Sequence, residues 1–149
     1  MYQNIKILLV CSPYYKDVTQ NLVKGAEEVL KLHSVEYKII HVPGALEIAP
    51  SIKFFSEKKS QNILFDGFVA LGCVIRGETF HFELVSNQSA ISLYDLSIKY
   101  SIPIGNGILT VENKNQAIVR SDPNKLNKGS GAAHACISLM NIKNQDAYE

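Results

Sequence analysis

The run Ala70 to Ala90, ALGCVIRGETFHFELVSNQSA, carries the densest chemistry in the chain. An apolar strand passes into the polar turn Arg76-Gly77-Glu78-Thr79, and a helix follows. The first backbone N–H groups of a helix lack partners and sit at the positive end of its dipole. Gly77, Glu78 and Thr79 therefore outline an anion site, with phosphate the usual guest. The same residues read equally as a Thr79 N-cap with Gly77 serving the turn. The Glu78 carboxylate repels a phosphate unless it points away while its N–H donates. His81 follows within the first helical turn, where an imidazole can move protons near neutral pH. A capping or surface histidine is the plainer alternative. His33, His41 and His134 have no comparable setting.

Further candidates lie elsewhere. Arg120 and Lys128 flank the polar loop SDPNKLN and offer fixed cations for an anion, or else solvated surface charge. Lys128-Gly129-Ser130-Gly131 lacks the Walker spacing of a phosphate loop. Tyr14 follows the first strand and can stack on a planar ring or pack at an interface. Pro43-Gly44-Ala45-Leu46-Glu47 opens a second helix and suits a planar heterocycle with amide-like edges.

These residues need a frame. Ile5 to Cys11 is a continuous apolar run, as in a strand buried on both faces. Apolar residues recur at helical spacing from Asp17 to His33. Tyr37 to Val42 reads as a second strand. Ala45 to Lys58 reads as a helix, kinked by Pro50. Phe65 to Ile75 is a third strand, Phe80 to Tyr100 a long helix, and Ile102 to Val111 a fourth strand. Asn113 caps a short helix through Arg120, ended by Asp122-Pro123-Asn124. Lys128 to Lys143 forms a last helix, and Asn144 to Glu149 frays. Strands alternating with helices predict right-handed crossovers and one α/β domain over residues 1–149. Its form is a three-layer α-β-α sandwich on a four-stranded parallel sheet, flavodoxin-like in class. The polar residues gather beyond the carboxyl ends of the strands, where such folds bind ligands.

Composition narrows the function. A chain of 149 residues with net charge +1 has no field drawing it to nucleic acid or membrane. Three scattered cysteines, Cys11, Cys73 and Cys136, show neither metal spacing nor a disulfide framework and suit a reducing cytoplasm. The apolar run near the N-terminus is too short to span a bilayer. It has no cleavage site of the signal-peptide kind.

The segments VPGALEI (Val42 to Ile48), LGCVIRGETFHFELVSN (Leu71 to Asn87), NGILTVEN (Asn106 to Asn113) and NKGSGAA (Asn127 to Ala133) resemble lumazine synthases in order and spacing. The resemblance covers nearly the whole chain. It implies condensation of 5-amino-6-(D-ribitylamino)uracil with 3,4-dihydroxy-2-butanone 4-phosphate. The products are 6,7-dimethyl-8-ribityllumazine, phosphate and water, and neither metal nor cofactor takes part. By the same resemblance, Tyr14 stacks on the pyrimidine. Ala45, Leu46 and Glu47 bind the uracil and its ribityl chain, and Cys73, Val74 and Ile75 line the same site. Glu78 and Thr79 receive the phosphate, next to the Gly77 amide already read as part of the anion site. His81 transfers protons. Asn106 lines the ring and Arg120 holds the phosphate, both from a neighbouring subunit, and Lys128 lies in the same region. Tyr14, Leu46 and Asn106 stand where aromatic residues are more usual: Phe or Trp at the first, Phe at the others.

The resemblance also implies a homo-oligomer with sites between adjacent subunits. Shell-forming members carry a Gly-Thr-Lys-type loop where this chain has Asp122 to Lys125, so a free pentamer is expected. Two other readings compete. A flavodoxin-like electron carrier needs a Ser/Thr/Gly-rich loop after the first strand, where this chain has the bulky, glycine-free Ser12-Pro13-Tyr14-Tyr15. A non-catalytic lumazine- or flavin-binding relative, or an assembly scaffold, would lose His81 or Arg120, and both are present.

Overall fold

Alternation along the strands decides how the layers form. In β1 (Lys6–Cys11), Ile7, Leu9 and Cys11 face one side of the sheet while Leu8 and Val10 face the other, all fully buried. A strand apolar on both faces must be covered twice. The computed structural model describes residues 4–57 and 64–144. After β1 come α1 (Lys16–Leu32), β2 (Glu36–His41), a 3-10 turn (Ala45–Glu47) and α2 (Ile48–Glu57). Then follow β3 (Gly67–Ile75), α3 (His81–Tyr100), β4 (Ile104–Val111), α4 (Lys114–Ser121) and α5 (Lys128–Asn144). The four strands run parallel in the order β2-β1-β3-β4. The expected three-layer α/β sandwich is therefore what forms.

On one face Leu22, Val29 and Leu30 of α1 and Ala133, Cys136 and Ile137 of α5 meet Ile7, Leu9, Val69 and Leu71. On the other, Ile48 and Ile52 of α2 and Leu93 of α3 meet Leu8, Val10, Phe68 and Ala70. Each such large apolar side chain contributes roughly 1.5–3 kcal/mol by leaving water. All three cysteines are free and buried. Burial pushes the thiols of Cys11 and Cys136 up to about 12, so they serve as small core residues.

Element ends depart from expectation where side chains intervene. The third strand starts at Gly67 rather than Phe65, because Asp66 closes the sheet end instead. Its carboxylate accepts the Lys6 N–H at 2.9 Å, and its own N–H donates to the Lys6 carbonyl at 2.7 Å. Ile102 does not open β4; its N–H returns to the Ser97 carbonyl, past Ser101 in the left-handed conformation (φ 54°), to finish α3. The kink expected at Pro50 takes another form. The chain makes a 3-10 turn first, and Pro50 falls third in α2, where a missing N–H costs little. The predicted end of that helix at Lys58, and residues 145–149 of the predicted frayed terminus, lie outside the described residues.

Asn113 caps α4 as expected, its Oδ1 accepting the Gln116 N–H at 2.9 Å, and Gln116 Oε1 accepts the Glu112 N–H at 2.8 Å. The helix runs to Ser121, and Asp122 Oδ1 accepts the Asn124 N–H in the turn that breaks it. On the outer edge of the sheet Asn106 is exposed, and its Oδ1 accepts the Ile108 N–H at 2.9 Å.

Candidate active site

The chain reverses its lateral progress between β1 and β3: β2 lies to one side of β1, and β3 and β4 lie to the other. The loops leaving those strands part there, and a cleft of about 530 Å³ opens beyond their carboxyl ends. After β1, Ser12 and the two tyrosines Tyr14 and Tyr15 form one wall. Ser12 is held at both ends of its backbone. Its N–H donates to the Leu71 carbonyl at 2.9 Å, and its carbonyl accepts the buried Thr19 hydroxyl at 2.9 Å. Tyr14 is three-quarters exposed and meets Tyr15 edge-on at 5.0 Å. Lys114 lies 5.2 Å over the Tyr15 ring and pairs with Asp17 at 2.8 Å, which holds the Asp17 carboxyl below the usual range.

The opposite wall is Pro43 to Glu47, where the 3-10 turn starts. The Glu47 carboxylate lies over Gly44, and its side chain is exposed to the cleft. Cys73, Val74 and Ile75 make the floor. Burial pushes the Cys73 thiol up to about 11, so it is a lining group and not a nucleophile at neutral pH.

Gly77, Thr79 and His81 complete the rim, joined by Phe82 and Val85 of α3. The helix has a weak cap. The His81 N–H reaches the Thr79 hydroxyl at 3.4 Å, and the Phe80 side chain gives none. Amides of the turn are thus left free for a ligand. Behind the turn, Arg76 Nε donates to Glu112 at 2.6 Å and its Nη1 to Glu83. The guanidinium holds the Glu83 carboxyl below the usual range.

Ten of the fourteen residues singled out in the sequence therefore share one cleft. The other four do not line it. Glu78 is exposed, its side chain outside the cleft wall. Asn106 is tied to the edge of β4. Arg120 bonds the Gln116 carbonyl of its own helix at 3.2 Å, and exposure differs between it and Lys128, which is exposed at the start of α5. Sequence reading missed Ser12, Phe82 and Val85. Phe82 and Val85 carry the ordinary signal of a helix's apolar face, and nothing local marks them as lining a cleft. Among the described residues, no group of three or more His, Cys, Asp or Glu side chains is placed to hold a metal.

A parallel sheet of this strand order, with a cleft at the point of reversal beyond the strands' carboxyl ends, defines a flavodoxin-like three-layer α/β domain with its cleft where such folds take ligands. The family model for 6,7-dimethyl-8-ribityllumazine synthase matches residues 4–144, and the chain belongs to that family. Among similar proteins, a 6,7-dimethyl-8-ribityllumazine synthase of Bartonella bacilliformis is 45% identical over 143 residues, 96% of this chain and 93% of the relative. Its counterpart in Zymomonas mobilis is 46% identical over 138 residues, 93% of this chain and 96% of the relative. That of Methylorubrum populi is 45% identical over 139 residues, 93% of this chain and 82% of the relative.

Proposed function

We infer that this protein condenses 5-amino-6-(D-ribitylamino)uracil with 3,4-dihydroxy-2-butanone 4-phosphate to give 6,7-dimethyl-8-ribityllumazine, phosphate and water. This is the penultimate step of riboflavin biosynthesis. The observation that carries the reading is family membership across nearly the whole chain, joined to a cleft that gathers ten of the fourteen expected residues.

The roles follow from chemistry. Tyr14 stacks on the pyrimidine ring, while backbone groups of Ala45 and Leu46 meet its amide-like edges. Glu47 takes hydroxyls of the ribityl chain. The free amides of the Gly77 to Thr79 turn receive the phosphate. The uracil's amine attacks the butanone carbonyl, water leaves, and an imine forms. Phosphate is then eliminated, and the ribityl nitrogen closes the second ring with loss of a second water. Each step needs two substrates held together and a proton moved, which His81 supplies at the rim.

A phosphate bound at the turn requires a cation, and Arg76, beside the turn, is already committed to two carboxylates. Arg120 of an adjacent subunit supplies that cation, with Lys128 nearby and Asn106 against the ring. The Asn106 carbonyl oxygen is taken by the Ile108 N–H, so its NH₂ is the group offered, a donor suited to a pyrimidine carbonyl. The working unit is a homo-oligomer, a pentamer, in the cytoplasm, where the free thiols stay reduced.

The test is direct. Mixed with both substrates and nothing else, the purified protein yields the product's absorption and green fluorescence. Absence of product at saturating substrate overturns the reading.

A further inference from the structure

We propose that Arg76 is a positioning residue for this reaction: it locks the first turn of α3, so that His81 and Phe82 keep one attitude in the cleft. The inference rests on the reading of the cleft given above. Three contacts made by one guanidinium carry it. Nε donates to Glu112, at the end of β4, at 2.6 Å. Nη1 donates to Glu83, third residue of α3. The guanidinium carbon lies 4.4 Å from the centroid of the Phe82 ring, which lines the cleft. The Arg76 N–H meanwhile donates to the Val111 carbonyl at 2.9 Å, so the clamp is rooted in the sheet.

The first turn of α3 has little else to fix it. Its side-chain cap is the 3.4 Å contact from the His81 N–H to Thr79. Phe80 is three-quarters exposed and His81 is exposed. One oxygen of Glu83 is buried with no hydrogen-bond partner while its side chain stays one-third exposed, so losing Arg76 frees that carboxylate to swing toward water and releases the turn it anchors. His81 is two residues away on the same turn. Lysine cannot replace this device. A point charge on a flexible stem neither bridges two carboxylates with fixed angles nor stacks on a ring.

The test compares steady-state rates of wild type, Arg76→Met, Arg76→Lys and His81→Ala, with Arg76→Met also placed in the His81→Ala background. Arg76→Met should lower kcat about tenfold to a hundredfold, with KM for the phosphate substrate moving less than about threefold. Arg76→Lys should recover less than half of that loss on a logarithmic scale. Because Arg76 acts through the α3 turn, adding Arg76→Met to His81→Ala should cost less than about twofold more. Should Arg76→Met fail to fold, Glu112→Gln on the exposed rim carries the same comparison, with kcat down about threefold to tenfold. Unchanged kcat, a loss confined to KM for the phosphate substrate, or full additivity with His81→Ala each overturns the inference. None of these results touches the function itself. Wild type that forms no lumazine overturns both.

Discussion

The proposed reaction gives His81, on the cleft rim, the proton traffic and leaves assembly of the two substrates to other groups. Replacing His81 with alanine should slow turnover about ten- to several-hundredfold and leave both KM values near those of wild type, because positioning survives. Initial rates at saturating substrate check this. Turnover equal to wild type would remove His81 from the chemistry. At this scale the sequence was legible where chemistry is local. Gly77, Thr79 and His81 follow one strand within six residues, and their types already suggest an anion beside a proton carrier. Arg76 was visible in the same run, but its partner Glu112 stands 36 residues further on, and spacing along the chain says nothing about that pairing. Phe82 was illegible for another reason. An aromatic at helical spacing looks the same whether its ring faces a core or a cleft.

At the level of elements, helices and strands emerged from periodicity, while their tight approaches did not. Gly129 and Gly131 looked alike in the run NKGSGAA. In the fold, α5 presses against α1 at the first of them. A Cβ at Gly129 would sit 2.0 Å from the Leu22 carbonyl oxygen, whereas one at Gly131 meets nothing within 4 Å. Gly129→Ala should therefore cost about 3 kcal/mol through overpacking of backbone on backbone. Gly131→Ala should gain up to about 1 kcal/mol, since alanine is the better helix former. Urea denaturation of the two variants reads the contrast, and equal midpoints would show that the helices do not meet this closely in solution. The glycine at 129 thus serves contact between helices. The 3-10 turn at Ala45–Glu47 escaped notice because three residues are too few to display any period.

At the scale of the molecule, an apolar stripe on α3 has no cover. Phe80, just before α3, and Leu84, Ile91, Tyr94 and Ile98 along it are all exposed and recur at intervals of three, four and seven. That spacing makes a stripe along the helix, opposite the side on which Leu93 enters the core. It begins beside the cleft rim, so a neighbouring subunit that covers the stripe also comes within reach of the site, as the proposed pentamer requires. Ile98, 69% exposed, lies at the end far from the cleft. Ile98→Glu would bury an unpaired charge at that contact, at roughly 1–3 kcal/mol or more. Multi-angle light scattering should show a pentamer for wild type and smaller species for the variant. A monomeric wild type would refute the assembly. Among the described residues no helix is long and apolar enough to cross a membrane.

The bond from the Ile108 N–H to the Asn106 side chain has a bearing on how this chain behaves when crowded. Open margins of pleated sheets invite stray chains to dock and seed fibrils. Here one of the outward-facing donors on that margin is spent on a carboxamide of its own strand, so an intruding backbone meets a position already satisfied. Asn106 thereby blunts the sheet's tendency to recruit its neighbours.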